Sequence, residues 1–327
     1  MIEITFRFNS KEKTAEITWL EETTPSNPVK NLIIPKIKSF KGDDYVVVSI
    51  NLCFPNCLRR GCPYLESITF PDSIVEIVRQ DSFGYSPNLR EVIFDGDGIE
   101  KLSRLCFRRC KKLKTVKLGN KLTTLPYGIF EGCSSLENIE LPNTLENIHG
   151  CSFYQCTNLN NIVIPSSVKY IEEYSFVGCR DLHGNISFEG PCPKIQSSKT
   201  YPKIFPKHSN DDYNKIHIKP EYSFDYFTKG YFKKYKLIPE KADQLILEKI
   251  EEGKYKVIPN LDKSGNNQYT GKIYVPKFII INNELVEIVE VSDFSFAFCS
   301  DLEFVEIDEN IKLGNYVFLS SPKCQEL

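Results

Sequence analysis

From Ile74 to Phe188 the apolar positions return in one order, about every 23 residues. Ile74, Ile77, Phe83, Leu89, Val92 and Phe94 form one unit. Ile99, Leu102, Phe107, Cys110, Leu113, Val116 and Leu118 form the next. The order returns in Leu122, Leu125, Phe130, Cys133, Leu136, Ile139 and Leu141, and then in Leu145, Ile148, Phe153, Cys156, Leu159, Ile162 and Ile164. A further unit reads Val168, Ile171, Phe176, Cys179, Leu182, Ile186 and Phe188, with one extra residue near Gly184. A degenerate unit with Phe54, Cys62, Leu65, Ile68 and Phe70 precedes them. A downstream one has Phe296, Cys299, Leu302, Val305 and Ile307.

A unit of about 23 residues is too short to close its own core, so units must stack and bury continuous columns of like side chains. The spacing Leu-x-x-Ile-x-Ile suits a short strand leaving a turn. The Leu-x-x-Ile that opens each unit covers the return path, and Phe fills the middle of the coil. The predicted fold is a repeat solenoid, mainly β, with short strands and short helical or irregular return segments. Phe-x-x-Cys could also be read as a redox or metal motif, but strict periodicity favours packing. Cysteine serves there as a small buried hydrophobe.

The form Phe-x-x-Cys-x-x-Leu-x-x-Ile-x-Ile-Pro resembles the BspA-like subclass of leucine-rich repeats, found in bacterial and protist surface antigens. The asparagine of the general leucine-rich pattern falls here on Ser73, Asp97, Lys121, Thr144 and Ser167. Pro71, Pro142 and Pro165 instead follow the strand directly. Both departures fit the BspA-like variant. The resemblance implies a non-enzymatic binding protein, a cell-surface adhesin or antigen in some members.

The module begins twice. "NLIIP" at 31–35 and "KIYVP" at 272–276 each precede a strand–turn–strand segment and then a repeat. Each follows a hairpin-like stretch, "ITFRFNSKEKTAEITWL" or "LILEKIEEGKYKVIPNL". The expected organisation is a β-rich cap over 1–51, a solenoid over 52–190, an interrupting and capping segment over 191–242, and a truncated second copy over 243–327. Within the third part Phe224, Phe227, Tyr231 and Tyr235 are spaced for one face of a short helix. That face closes a solenoid end or, on the sharper reading, binds a partner.

Composition adds mainly exclusions. The 327 residues carry 41 Lys and Arg against 43 Asp and Glu, a net charge of −2 that does not suggest a nucleic-acid partner. No apolar run has the length of a membrane span. The N-terminus shows no basic head followed by an apolar stretch, so the residues point to the cytosol while the resemblance points to the cell surface. Twelve cysteines are many for a cytosolic chain, and most fall on repeat positions. Buried reduced thiols are expected.

Candidate chemistry is thin. Cys53, Cys57 and Cys62 are close together but lack zinc-knuckle spacing and a nearby His. "GNNQYTGKI" at 265–273 has five residues between its glycines and Ile273 after Lys272, so it misses the phosphate-loop pattern. His149, His183, His208 and His217 sit in no nucleophile–base motif. An unrecognised catalytic site would have to draw on His208, Asp211, Asp212 and His217. "NIS" at 185–187 matches a glycosylation acceptor by pattern alone. No catalytic, cofactor or metal residue is assigned, and none of these patterns implies a cofactor.

Two surfaces remain. Strand alternation sends the neighbours of the middle Ile outward. That gives a stripe of partner-binding candidates: Ser67, Thr69, Glu91, Ile93, Thr115, Lys117, Asn138, Glu140, Asn161 and Val163. The expected partner is a protein or a glycan, with a merely solvated stripe as the plain alternative. Arg104, Arg108, Arg109, Lys111, Lys112, Lys114 and Lys117 gather in one repeat, with Arg59 and Arg60 expected on the same side. They suit an anionic partner or a solvated outer face.

Overall fold

The structure, a computed structural model, describes residues 2–22, 30–51, 61–182, 185–196, 204–205, 215–219, 222, 225–226, 236–239, 244–262, 264–281 and 284–321. Cys53, Phe54, Cys57, Arg59, Arg60, His183, Gly184, His208, Asp211, Asp212, Phe224, Phe227, Tyr231 and Tyr235 lie outside them. The chain forms two compact units, one of Met1–Ile186 with Pro193–Asn214 and one of Ser187–Cys192 with Lys215–Leu327.

The first unit opens with a hairpin. Ile2–Asn9 pairs antiparallel with Thr14–Glu22, and Lys13 takes a left-handed φ of 53° at the turn. Thr14–Glu22 then runs parallel to Asp43–Ile50, which pairs antiparallel with Ile37–Phe40 and parallel with Glu76–Ile77. The second unit follows the same path. Leu247–Glu251 and Lys254–Val257 form the hairpin, and Lys254–Val257 runs parallel to Glu284–Val291. That strand pairs antiparallel with Phe278–Ile281 and parallel with Lys312–Leu313.

Each opening sheet leads into stacked coils. In the first unit Asn31–Ile33, Ser67–Phe70, Glu91–Phe94 and Thr115–Lys117 form a parallel sheet, one strand per rung. A second parallel ladder, two or three residues wide, joins Thr124–Leu125, Asn147–Ile148, Tyr170–Glu172 and Lys194–Gln196. The return segments are turns rather than helices. In the second unit Gly271–Val275 runs parallel to Leu302–Ile307, and Ser187 and Phe188 pair with His217 and Ile218. Its core gathers Val275, Ile288, Val291, Phe296 and Leu302.

The phenylalanines make the central column. Phe83, Phe107, Phe130, Phe153 and Phe176 are fully buried, and successive rings stack with centroids 5.2–6.0 Å apart. Such offset pairs contribute about 0.5–1.5 kcal/mol beyond burial. The column continues onto Phe205, 5.2 Å from Phe176, although no repeat is legible there in the sequence. Leu141 is the one repeat position between Ile74 and Phe188 that stays half-exposed.

Cysteine does more than fill space. The Sγ atoms of Cys110, Cys133, Cys156 and Cys179 donate to the carbonyls of Phe83, Phe107, Phe130 and Phe153 at 3.1–3.2 Å. Each thiol thus satisfies a buried carbonyl of the preceding rung. In the second unit Ser321 takes the equivalent place, its hydroxyl donating to the Phe296 carbonyl at 2.6 Å. Burial pushes the Cys110 thiol up to about 12 and those of Cys106, Cys133, Cys156 and Cys179 well above the usual thiol value. Hydroxyls likewise stand where a general leucine-rich repeat has its asparagine: Ser73, Thr144 and Ser167 donate to the carbonyls of Val47, Leu122 and Leu145.

The turn around each phenylalanine has a second regularity. Two residues four apart take left-handed φ: Asp81 and Tyr85, Leu105 and Arg109, Gly128 and Gly132, Cys151 and Gln155, Tyr174 and Gly178. Phe294 and Phe298, then Tyr316 and Ser320, do the same in the second unit. In the rungs that begin at Asp81, Leu105, Gly128 and Phe294 this geometry aims three N–H groups at the next rung. Leu105, Phe107 and Arg109 donate to the carbonyls of Tyr127, Ile129 and Glu131 at 3.0, 3.0 and 2.6 Å. Gly128, Phe130 and Gly132 donate to Gly150, Ser152 and Tyr154 at 3.0, 2.9 and 2.7 Å.

Candidate functional site

The strand ladder of the first unit positions the stripe. Asn31, Ser67, Glu91 and Thr115 are register partners, as are Ile33, Thr69, Ile93 and Lys117. Between these rows run Leu32, Ile68, Val92 and Val116, which are buried. Thr115, Lys117, Asn138, Glu140, Asn161 and Val163 are exposed, whereas Ser67, Thr69, Glu91 and Ile93 are half-buried. Ser67 donates to the Asn31 amide oxygen at 2.8 Å, one contact that lowers its access. Ser67, Thr69, Glu91, Ile93, Thr115 and Lys117 therefore lie on one side of the ladder, three in each row, and Asn138, Glu140, Asn161 and Val163 are the exposed neighbours of buried Ile139 and Ile162 in the next two rungs. The inner row is polar apart from the charge of Glu91. The outer row mixes Ile93 with Thr69 and Lys117.

The basic residues do not form one cluster. They surround their rung. Lys117 lies on the strand side. Lys114 approaches Glu137 at 3.5 Å, and Lys112 donates to the Asn88 side chain at 2.8 Å. Arg104 lies over the Tyr127 ring at 5.3 Å, and Arg108 and Arg109 flank Tyr85 at 5.6 and 5.7 Å. Arg108 also pairs with the half-buried Glu131 at 3.2 Å. A run of bases in a coil of this kind is dispersed because a rung turns back on itself within 23 residues.

One polar pair was not legible in the sequence. His149 Nδ1 and Glu172 Oε1 are 2.7 Å apart, and the second carboxylate oxygen accepts the Gly150 N–H at 2.7 Å. They are separated by one period, and neither residue type recurs at its repeat position, so no motif marks them. The nearby Ser152 hydroxyl donates to the backbone carbonyls of His149 and Pro126, and its residue is buried. It is committed to structure rather than aimed at solvent. Cys151 and Tyr127 interact through their side chains on the same side of the coil, and burial raises the Cys151 thiol. His217 lies on the strand Lys215–Ile218, half-buried, and pairs in register with Ser187.

Among the described residues no three His, Cys, Asp or Glu side chains are grouped to hold a metal ion, and Cys106, Cys110, Cys133, Cys151, Cys156 and Cys179 are free thiols. The 265–273 segment is a loop held by Asp262 that leads into the strand Gly271–Val275. Asp262 Oδ1 accepts the Ser264 and Asn266 N–H groups at 2.8 and 2.9 Å. The Asn266 backbone bond leads in holding the Asp262 carboxyl below its ordinary range. No helix among the described residues is long and apolar enough to cross a membrane.

Short parallel strands, one per rung, wound around a phenylalanine column define a leucine-rich-repeat solenoid. The model of the BspA type leucine rich repeat region matches residues 53–198 and 254–327 in six copies, well over half of the chain, and the chain belongs to that family. Among solved structures it is similar to a T. pallidum leucine rich repeat protein, at 21% identity over 58% of this chain and 80% of that one, with a TM-score of 0.47. It is also similar to a leucine rich cell surface protein of Faecalibacterium prausnitzii, at 19% identity over 99% and 75% with a TM-score of 0.41. The pneumococcal vaccine antigen PcpA is 13% identical over 99% and 86%, with a TM-score of 0.34. No curated protein sequence matches the chain.

Proposed function

We propose that this chain is a non-enzymatic binding protein whose strand face takes a protein or glycan partner. The observation that carries the reading is the pair of rows in register from Ser67 and Thr69 to Thr115 and Lys117, flanking buried aliphatics, with exposed Asn138, Glu140, Asn161 and Val163 beside buried Ile139 and Ile162 in the next two rungs. Repeat solenoids use such extended faces for contact over a wide area. A photo-crosslinking residue at Asn138 or Asn161 tests this against one at Gln155, on the turn side. Adducts from the strand-face positions only, lost in the Thr115→Glu, Lys117→Glu double variant with its fold intact, support the reading. Adducts from Gln155 alone, or a double variant that unfolds, overturn it.

Family resemblance favours a cell-surface adhesin or antigen. A second reading, an intracellular scaffold of the same fold, is favoured by the buried free thiols of Cys106, Cys110, Cys133, Cys156 and Cys179, since disulfides are rare in reducing compartments. Protease treatment of intact cells separates them. Loss of this protein while a cytosolic control survives supports the surface reading, and survival alongside the control supports the scaffold.

A further inference from the structure

Charge along the chain is balanced in total and separated in detail. Between Glu100 and Glu131 there are nine basic side chains and no acid, whereas between Lys277 and Lys312 there are nine acids and no base. The two segments are equivalent rungs. Aligned on Phe107 and Phe296, Arg104 matches Asp293, Lys112 matches Asp301, Lys114 matches Glu303 and Lys117 matches Glu306. The thiols Cys110 and Cys299 and the buried Leu113 and Leu302 match as well. Four positions of one turn of the fold therefore carry inverted charge in the two units.

The strand side of these rungs is matched most closely. Exposed Lys114 immediately precedes the strand that holds exposed Lys117, and exposed Glu303 and Glu306 lie on the equivalent strand with the same separation, three residues or about 10 Å of extended chain. Exposed Thr115 lies between the first pair and half-buried Phe304 between the second. Among the described residues the Lys114 side chain pairs with exposed Glu137, a contact of a kind that contributes little. A like-to-like contact of either rung would set equal charges against each other. A contact between the two kinds sets two lysines against two carboxylates around an aromatic centre.

We propose that the strand face of the basic rung in one copy of this chain docks on the strand face of the acidic rung in a second copy. The contact is heterologous, joining two different surfaces. It rests on the strand face being the docking face and adds an occupant for it. Because the charges are exposed, the association is strongest at low ionic strength. It is screened as the Debye length falls from about 10 Å at 0.1 M salt to about 3 Å at 1 M.

Sedimentation velocity of the full chain between 50 mM and 1 M NaCl tests this, with two charge-reversed variants. Wild type sediments as larger species with rising concentration at 50 mM and as monomer at 1 M. Lys114→Glu, Lys117→Glu and Glu303→Lys, Glu306→Lys are each monomeric alone at 50 mM. Mixed in equal amounts they associate again, because each now carries the complement of the other. That rescue also shows that both variants fold. A wild type monomeric at every salt concentration overturns self-association, and crosslinking of a different protein at Asn138 would then leave the strand-face reading standing. Association lost in Arg104→Glu but retained in Lys114→Glu, Lys117→Glu overturns the proposal and moves docking to the turn face.

Discussion

The left-handed positions of the repeat turns allow a sharp test, because the chain fills them with and without glycine. Gln155 has φ 59° and is exposed, whereas Gly132 occupies the equivalent place one rung earlier at φ 72°. A residue with a Cβ in this conformation costs roughly 1–2 kcal/mol. Glycine avoids that cost but loses more backbone freedom on folding, roughly 0.5–1 kcal/mol. Gln155→Gly therefore stabilises by about 0.5–1 kcal/mol, and Gly132→Ala destabilises by a similar amount. A Cβ on Gly132 would meet Arg109 Cγ at 3.1 Å, a flexible chain that can shift. Gly128→Ala is worse, because its Cβ would run into Leu105 Cδ2 and displace that half-buried side chain, adding up to about 1 kcal/mol at the low end of overpacking costs. Guanidinium melts followed by the fluorescence of Trp19, the single tryptophan and part of the same unit, give the three values. A destabilised Gln155→Gly together with neutral glycine variants would refute the conformational argument.

Further expectations concern the core. Leu136→Ala should cost about 2–5 kcal/mol in the same melts, and a near-neutral value would show that the repeat register is wrong. Cys133→Ser should stay within about 1 kcal/mol of wild type, as Ser321 does the same task in the second unit. Cys133→Ala should cost about 1–3 kcal/mol because the Phe107 carbonyl loses its donor; equal costs would remove the thiol hydrogen bond from the account. The buried thiols titrate above their unfolded value, so their contribution is complete below about pH 8.5 and declines as pH rises, for Cys110 toward its folded value of about 12 and for Cys133 in the same direction. Each thiol then accounts for about 1.4 kcal/mol per pH unit. Melts at pH 8 and 10 should show a smaller loss for Cys110→Ser, Cys133→Ser than for wild type, and identical losses would sink the assignment.

Much of the architecture is legible from spacing alone, because a stacked coil repeats its demands. Phe107, Phe130 and Phe153 face the same neighbours, so the same residue type returns, and the two module starts share strand path as well as pattern. What the spacing hides is chemistry met by different residues at one place. Leu105, Gly128, Cys151 and Tyr174 share a left-handed backbone with no common side chain. Ser73 and Thr144 supply the hydrogen bond for which the general pattern uses asparagine. The His149–Glu172 pair occurs once and has no period to reveal it. The strand-face rows follow from alternation, but half-burial of Ser67 and Ile93 depends on neighbours one rung away.

The thiol column also makes the chain a recorder of its own breathing. Cys110, Cys133, Cys156 and Cys179 are fully sealed, one to a rung, and none can meet a thiol reagent until its rung parts from the one before. Their alkylation rates would give four opening free energies at fixed intervals along the stack, without any label being introduced. The order in which they react would tell whether the stack frays from one side, splits in the middle, or lets go as a single block.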